Sequence, residues 1–198
     1  MTAFDGEKVQ KRCPWCSNDE LYQSYHDNVW GRPRRDSQDL FAKLCLDGQQ
    51  AGLSWLTILK KELTYYEAYD QFEPAKIARY DAIKIEDLMQ NSGIVRNKLK
   101  INAIIKNARG YLSIEANEGA FSEFIWSFVG GQVIQNEWLT MDDIPISTPE
   151  SEAMSKALKQ RGFSFVGPTI CYAYMQAVGL VNDHLVTCPQ WQECQCAE

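Results

Sequence analysis

The segment 97–112 carries one continuous apolar stripe, and this stripe constrains the fold more than any other feature of the sequence. Its members recur every three or four residues, which is the period of an α-helix. They are Ile101, Ile104, Ile105, Ala108, Tyr111 and Leu112. The sequence therefore predicts a helix here with one apolar face.

The same spacing predicts further helices on both sides of a tight loop. Residues 38–48 and 54–70 carry apolar side chains at helical intervals, and the short segment 49–53 separates them. Alternating patterns typical of strands are scarce, and the best candidate, residues 163–166, is too short to define a sheet. The predicted fold class is all-α.

Two helices near the end of the sequence are marked by their capping residues. Ser147 or Thr148 can cap a helix of about three turns that has Pro149 in its first turn and Gly162 at its end. After a short turn, Gly167-Pro168 opens another apolar helix of about ten residues. The pattern predicts two consecutive helices joined by a glycine-containing turn.

The size and composition predict one compact domain. The chain has 198 residues, of which 45% are hydrophobic and 23% charged, so it can bury a core without disulfides. We expect a flexible tail at 1–12, a single helical domain at 13–190 and a polar tail at 191–198. A polar N-terminus and the lack of any run of about 18 apolar residues favour a cytoplasmic protein without a membrane partner.

The net charge of −6 argues against binding to nucleic acid through general electrostatic attraction. Local clusters of basic residues can still contact phosphates on one face, or can be solvated helix surfaces. The clusters are Arg32, Arg34 and Arg35, then Arg96, Lys98 and Lys100, then Lys156, Lys159 and Arg161.

Cysteine and histidine positions indicate a metal site. His184 and Cys188 are four residues apart and share one side if that stretch is helical, while Cys13 and His26 lie near the other end of the chain. Two cysteines and two histidines complete a tetrahedral zinc site without an open position, which is typical of a structural site.

Other interpretations of the cysteines remain open at this point. Cys13 and Cys16 form a CxxC that could pair with Cys194 and Cys196 in a four-cysteine site, or the cysteines could be buried and the histidines exposed. A thioredoxin-like role for the CxxC is weaker, because no βαβ pattern surrounds it. Two further residues, Cys45 and Cys171, fall on apolar helix faces and suit core packing.

Four segments together resemble the 3-methyladenine-DNA glycosylase I (Tag) family of the helix-hairpin-helix DNA glycosylases. They are SYHDNVWG (24–31), LDGQQAGLSWLTILKK (46–61), WSFVGG (126–131) and GFSFVGPTICYAYMQAVGLVNDH (162–184). The resemblance runs from about residue 13 to 188. It implies a helix-hairpin-helix glycosylase fold, one structural zinc per chain bound near the termini, and release of 3-methyladenine from alkylated double-stranded DNA. The family's zinc ligands match Cys13, His26, His184 and Cys188, which selects between the two metal assignments.

The resemblance also places the base pocket on Tyr25 and Trp55, with Trp15 and Tyr22 nearby. A base methylated at position 3 is positively charged in DNA, so aromatic faces above and below it would stabilise it by about 0.5–2 kcal/mol. These positions can equally be core aromatics, as Trp55 would be on an apolar helix face.

Position 47 departs from the family, because Asp47 stands where the family usually has Glu. A carboxylate here can accept a hydrogen bond from the adenine amino group and favours the charged base, so Asp47 is the candidate catalytic residue. The side chain is shorter by about 1.5 Å, one carbon–carbon bond, which weakens direct contact with the base. Asp47 can also be a purely structural capping residue.

Little acid–base catalysis is expected, because the methylated base leaves as a neutral molecule. Related glycosylases of the superfamily carry an Asp two residues before a His, and the aligned residue here is Asn182, with Asp183 displaced by one. We therefore expect a monofunctional glycosylase with neither a strong general base nor a lysine nucleophile, and free 3-methyladenine as the product that binds.

Contacts with DNA are expected at two loops. By resemblance, Gly52 and Leu53 are candidates for insertion into the duplex, and the backbone at Gly167 for binding one phosphate. The protein is expected to act as a monomer. Two other functions remain possible: a non-catalytic protein that binds alkylation damage, and a zinc-stabilised scaffold that binds another protein.

Overall fold

The computed structural model describes residues 11–195, which fold into helices and one very small sheet. Residues 1–10 and 196–198, which include most of the expected N-terminal tail and Cys196, lie outside the described residues. Short 3-10 helices cover Pro14–Cys16, Asp70–Phe72 and Met141–Asp143. The α-helices are α1 (Glu20–Asn28), α2 (Ser37–Gln50), α3 (Trp55–Leu59), α4 (Glu62–Ala68), α5 (Pro74–Ile77), α6 (Ala82–Gln90), α7 (Lys98–Asn117), α8 (Phe121–Ser127), α9 (Pro149–Gln160), α10 (Pro168–Ala177) and α11 (Pro189–Gln195).

Helix α7 confirms the first prediction and is longer than the stripe indicated. The side chain of Asn97 caps it by accepting hydrogen bonds from the main-chain N–H groups of Leu99 and Lys100. The stripe faces the core except at Leu112, which is 37% exposed, and it continues instead through the fully buried Ile114. Helix α7 packs against α2, α5 and α6.

Helix α2 lies at the centre of the molecule, with α3, α7, α8 and α10 packed around it. Every residue from Leu40 to Gln49 is buried, so this helix has no solvent-facing side over that span. Lys43 and Asp47 lie within this buried stretch. Because an isolated buried charge costs several kcal/mol, these two side chains must be paired.

The helix expected over 54–70 is divided in two, and that prediction is wrong. Helix α3 ends at Leu59 and α4 begins at Glu62, so the chain turns at the two lysines between them. Lys60 forms a salt bridge with Asp19 at the start of α1. The turn lets α3 bury Trp55 beside α2 while α4 buries Tyr65 elsewhere in the core.

Helices α9 and α10 form the predicted pair and pack against each other. The hydroxyl of Thr148 accepts a hydrogen bond from Ser151 N and caps α9, whose first residue is Pro149. Gly162, at φ +83°, ends the turn after α9 in a conformation that glycine adopts readily. Helix α10 begins at Pro168, as expected.

The sheet consists of two parallel strands, β1 (Ile134–Gln135) and β2 (Val181–Asn182). It joins residues far apart in sequence and lies away from 163–166, which form no strand. Residues 191–195, expected in a polar tail, belong to α11, where Cys194 is buried. Within residues 11–195, no helix combines the length and hydropathy needed to cross a lipid bilayer.

Candidate functional site

Cys13, His26, His184 and Cys188 converge in one buried cluster, in which one ligand atom of each residue lies within 4.8 Å of the others. The Sγ of Cys188 lies 3.6 Å from Nε2 of His26 and 3.8 Å from Nδ1 of His184. The Sγ of Cys13 lies 3.7 Å from the same His184 nitrogen. In a zinc tetrahedron with the usual bond lengths, sulfur and nitrogen ligands are separated by about 3.6 Å. The four residues are therefore placed so that they can bind one metal ion.

The chain brings these ligands together through two short segments. Cys13 precedes the 3-10 helix at Pro14–Cys16, and His26 lies on α1. His184 and Cys188 follow β2 in a turn and not in a helix, so the helical spacing considered for them is wrong. Their approach is produced by a tight turn in which Cys188 N donates to Leu185 O over 2.7 Å.

Both histidines are oriented by a second partner. The Nδ1 of His26 lies 2.8 Å from the Asp27 carboxylate, and Nε2 of His184 lies 3.2 Å from the carbonyl oxygen of Trp30. In metal sites, a histidine commonly donates its other ring N–H to a carboxylate or a carbonyl, which fixes the ligating nitrogen. Both rings follow this pattern.

The electrostatics of the cluster favour a thiolate. A hydrogen bond from Cys13, together with hydrogen bonds from His184 and His26, lowers the pKa of the Cys188 thiol far below its ordinary value. Cys16 does not belong to the cluster, since its thiol donates to the carbonyl oxygen of Cys13 over 3.2 Å. The alternative site built on Cys16 is therefore not supported among the described residues. Cys45 and Cys171 are buried in the core, as expected.

An aromatic pocket lies beside the metal cluster. Its walls contain all of the residues that the resemblance assigned to the base pocket, together with others from α2 and α10. The lining consists of Trp15, Tyr22, Tyr25, Trp30, Lys43, Asp47, Gln50, Trp55, Ala173, Gln176 and Ala177. Trp15 links the two sites, because its ring centroid lies 5.2 Å from that of His26 and 5.0 Å from that of Tyr22.

The rings of Tyr25 and Trp55 are close together in this conformation. Their centroids are 5.4 Å apart and their planes are inclined by 43°. A base stacked between two rings needs about 7 Å between them, because each van der Waals contact takes about 3.5 Å. A base held above and below by this pair therefore requires the rings to separate. Burial raises the pKa of the Tyr25 hydroxyl well above its ordinary value, so the phenol remains neutral.

Asp47 is buried in the floor of the pocket and is paired with Lys43. The two side chains are each 3% exposed, and the Lys43 ammonium donates to Oδ1 of Asp47. The other carboxylate oxygen, Oδ2, has no hydrogen-bond partner among the described residues. Asp47 is thus a buried carboxylate whose second oxygen is itself buried and accepts no hydrogen bond among the described residues.

A second depression continues from the pocket toward the 49–53 loop. Asp47, Gln50 and Ala173 line both cavities, and the second is also lined by Gly52 and Leu53. Gly52 has φ +75°, and a Cβ there would meet no atom within 4 Å. Leu53 is 41% exposed, so its side chain is accessible to a partner at this depression.

Lys100 supports this loop from α7. Its ammonium donates to the carbonyl oxygens of Gln49 and Ala51 over 2.6 and 2.7 Å, and it is 5% exposed. The expectation that Lys100 contacts phosphates is therefore wrong, because its charge is used inside the protein. The side-chain amide of Gln49 donates to the Lys100 carbonyl oxygen over 3.1 Å. Hydrogen bonds therefore run both from α7 to the 49–53 loop and from that loop to α7.

Other members of the basic clusters are also engaged within the protein. Arg32 donates to Asp27 O, Gln190 and Glu193, and Arg161 forms a two-pronged pair with Glu118. The guanidinium of Arg35 lies 4.0 Å above the Trp126 ring. The exposed cluster members are Arg35, Arg96, Lys98, Lys156 and Lys159.

Gly167 occupies the N-cap position of α10, and a Cβ there would meet no atom within 4 Å. Lys156, Lys159 and Pro168 line one shallow depression beside it. The start of a helix attracts anions through its free N–H groups and its dipole. The surface around Gly167 therefore has the features that suit a phosphate.

Asn182, which the resemblance aligns with the superfamily's acidic position, and the adjacent Asp183 are fully buried and bonded within the protein. The Asn182 amide donates to Gln135 and to the Trp191 carbonyl. Four side-chain groups donate to the Asp183 carboxylate, namely those of Asn136, Trp138, Tyr172 and Gln176, over 2.6–2.8 Å. Neither residue lines the aromatic pocket.

Sequence analysis did not identify Lys43, Trp30 or Gln176 as pocket residues. Lys43 had a usable signal, since it interrupts an apolar helix four residues before Asp47, the spacing of a helical ion pair. Trp30 and Gln176 had none, because their position depends on how α1 and α10 meet.

Comparisons with known proteins agree with this geometry. The profile of the family described as methyladenine glycosylase matches residues 15–191. DNA-3-methyladenine glycosylase of Haemophilus influenzae is 53% identical over 178 residues, covering 90% of this chain and 96% of the relative. DNA-3-methyladenine glycosylase 1 of Escherichia coli is 54% identical, covering 90% of this chain and 95% of the relative.

A solved structure gives the same result for the fold. It is a tyrosine-to-phenylalanine variant of 3-methyladenine DNA glycosylase I in complex with 3-methyladenine. It superposes with a TM-score of 0.87 at 43% identity, and the match covers 90% of this chain and 96% of the other.

Proposed function

This chain belongs to the methyladenine glycosylase family, and we propose that it releases 3-methyladenine from alkylated double-stranded DNA through the aromatic pocket around Asp47. As a member of the family it is a hydrolase that acts on N-glycosyl bonds. The observation that carries the proposal for the pocket is a buried carboxylate with one unpartnered oxygen among aromatic rings.

This arrangement suits a positively charged base. Trp55 and Tyr25 offer π-faces that attract a cation by about 0.5–2 kcal/mol, with Trp15 and Tyr22 extending the aromatic wall. The Oδ2 atom of Asp47 can accept a hydrogen bond from the amino group that adenine carries. Unmethylated adenine is neutral and gains less from both contacts, so the pocket selects the alkylated base.

Hydrolysis then needs little help from acid–base groups. The methylated base carries a positive charge while attached to the sugar and leaves as a neutral molecule, so the bond is already weakened. The carboxylate of Asp47 stabilises positive charge in the transition state. Since Asn182 and Asp183 are bonded within the protein, we assign neither of them as a general base, and we infer a monofunctional glycosylase without strand cleavage.

The base must leave the helix before it reaches this pocket, at a cost of a few kcal/mol. Leu53, next to Gly52 at the mouth of the pocket, can enter the duplex and fill the gap. The N-terminus of α10 at Gly167 can hold a backbone phosphate while Lys156 and Lys159 lie close by. We propose that one protein molecule performs these contacts as a monomer.

For the metal cluster we propose one zinc ion per chain. Sulfur and imidazole ligands in a four-membered closed set suit zinc, and four protein ligands leave no position for a substrate. The ion would stabilise the fold and supply no chemistry to the reaction. It would fasten the segment around Cys13, and with it Trp15, against the pocket.

Incubation with methylated duplex DNA tests the proposed activity directly. We expect free 3-methyladenine to appear in the supernatant and the DNA strand to stay intact until heated in alkali. Unmethylated duplex of the same sequence is the control and should release no adenine. Tight binding to methylated DNA without base release would contradict the enzyme function and favour a damage-binding protein.

A further inference from the structure

Lys43 is a buried cation in the wall of the proposed base pocket. It lies in the middle of α2, and its neighbours Leu40 and Leu44, one turn and one residue away, are fully buried. The Lys43 side chain itself is only 3% exposed. An ammonium group is strongly hydrated in water, so a lysine at this depth is retained only where specific partners replace that water.

Two partners meet the Lys43 ammonium. It donates to Oδ1 of Asp47, one helical turn away, and lies 3.9 Å from the centroid of the Trp55 ring. Oδ2 of Asp47 is left without a partner among the described residues, while Asp47 itself lines the pocket. The ion pair thus occupies one oxygen of the carboxylate and leaves the other, which is also buried, without a hydrogen bond until a ligand that enters the pocket supplies one.

Without Lys43, the Asp47 carboxylate would be a single buried charge. A group in that position takes up a proton, because desolvation destabilises the ionised form. A protonated Asp47 offers no negative charge to a cationic base. Its O–H group is also a hydrogen-bond donor, so it is a poor acceptor for the amino group of the base.

We propose that Lys43 is a positioning residue that keeps Asp47 ionised and directs its second oxygen to the base. The inference rests on the proposed function of the pocket and adds a residue that the function itself does not assign.

The pKa directions agree with this geometry. Burial raises the pKa of Asp47, and the charge of Lys43 and its hydrogen bond act to lower it. Burial lowers the pKa of Lys43, whereas Asp47 acts to raise it. Each group therefore stabilises the charged form of the other.

Other titratable and charged groups surround the pair, and any test must distinguish their titration from that of Lys43 and Asp47. Burial raises the pKa of Glu62, which makes it a second carboxyl whose titration must be distinguished from that of Asp47. The thiols and phenols have pKa values raised by burial, so they stay neutral at neutral pH. The surrounding groups are Tyr25, Arg34, Cys45, Glu62, Cys171 and Tyr174.

The test measures the rate of 3-methyladenine release from methylated duplex by the metal-loaded, full-length protein across the pH range. In Lys43→Met, the rate should fall on the acidic side, with a midpoint about 1–3 pH units above that of the wild type. The sign follows because the ionised Asp47 is the active form and loses its charge as the pH falls. At high pH the variant should recover.

Matched variants separate charge from structure. Lys43→Gln keeps a hydrogen-bond donor without the charge and should show the same displaced midpoint. Lys43→Arg keeps the charge and should retain the wild-type profile. Glu62→Gln, in an otherwise wild-type chain, should leave the midpoint where it is. The double variant Lys43→Met with Asp47→Asn has no titrating carboxyl at this position and should lose the pH dependence.

A wild-type profile in both Lys43→Met and Lys43→Gln would overturn the proposal. If Lys43→Met does not fold, Lys43→Gln decides the question alone. The proposal can also fail separately from the proposed function, because carbon-13 NMR of the Asp47 carboxyl reports its titration without any substrate. An unchanged titration in folded Lys43→Gln refutes the role of Lys43, whereas absence of base release by the wild type refutes the function.

Discussion

The Lys100 ammonium donates to the carbonyl oxygen of Ala51 over 2.7 Å, immediately after the last residue of α2. This contact, together with the one to Gln49, places a positive charge on carbonyls that have no partner within the helix. It fixes the turn that presents Leu53 at the mouth of the pocket.

Lys100→Met should therefore loosen the loop and lower activity on duplex DNA. Loss of two hydrogen bonds from a charged group should reduce the free energy of unfolding by at least about 1.5–3 kcal/mol, the contribution of one such bond. Urea denaturation measures this loss, and base-release assays measure activity on duplex. Lys106→Met, at an exposed position on the same helix, is the control and should change stability by less than about 0.5 kcal/mol. Equal effects of the two substitutions would contradict a role for Lys100 in the loop.

Changing a metal ligand should remove both the metal and much of the stability. Cys13→Ala and His184→Ala each leave three ligands, so we expect less than one zinc per chain and partial loss of helix. Elemental analysis and circular dichroism check this. Cys16→Ala is the matched control, because that buried thiol donates to the Cys13 carbonyl oxygen and is not one of the four ligands. Full metal content in folded Cys13→Ala would show that the cluster does not bind the ion as proposed.

Substitutions at Asp47 should separate charge recognition from shape. Asp47→Asn removes the negative charge and leaves Lys43 unpaired, so release of 3-methyladenine should fall by at least about tenfold, equivalent to 1.4 kcal/mol. Asp47→Glu keeps the charge, extends it toward the base and should preserve or increase the rate. The measurement is base release from methylated duplex, with circular dichroism to confirm folding. If Asp47→Asn weakens binding of the charged base and of neutral adenine equally, the carboxylate does not select charge.

Leu53→Ala should lower activity on duplex DNA with little change in stability. The side chain is 41% exposed, so its removal affects the fold by only about 0.5 kcal/mol. If Leu53 fills the gap left by the extruded base, the loss should be smaller on single-stranded DNA, where no stack must be opened. Leu63→Ala, 81% exposed on α4, is the control and should leave both activities unchanged. Equal losses on duplex and single strands for Leu53→Ala would argue against insertion.

The sequence predicts the helical elements where a single local signal decides them. The stripe on α7 and the caps of α9 are such cases, because spacing and capping chemistry act within a few residues. The break between α3 and α4 could not be predicted this way, since the apolar period continues through Lys60 and Lys61. Packing of Trp55 and Tyr65 against different neighbours produces the turn. The strands β1 and β2 were missed because two residues carry no periodicity.

The site was predictable to a similar extent. Residue types left two metal assignments open and the family resemblance selected Cys13, His26, His184 and Cys188. The turn that joins the last two ligands is set by tertiary contacts and not by helical spacing. The pocket aromatics followed from the family resemblance. The opposite case is Lys43, whose spacing from Asp47 is visible in the sequence but whose burial depends on α3 lying across it. Lys100 was misjudged for the same reason, because an exposed and a buried lysine have the same local pattern.

The metal cluster also has a consequence for how the chain is made. His26 and Cys188 are separated by 162 residues, so a ribosome needs roughly ten to thirty seconds to travel from one to the other. During that interval α2 and α7 emerge and can begin to pack. Cys13 and His26 have then been synthesised, but His184 and Cys188 have not. With zinc as the proposed ion, we expect its supply to control the final step of maturation, so that newly made chains in a zinc-starved cell are cleaved by proteases at the segment carrying Cys13.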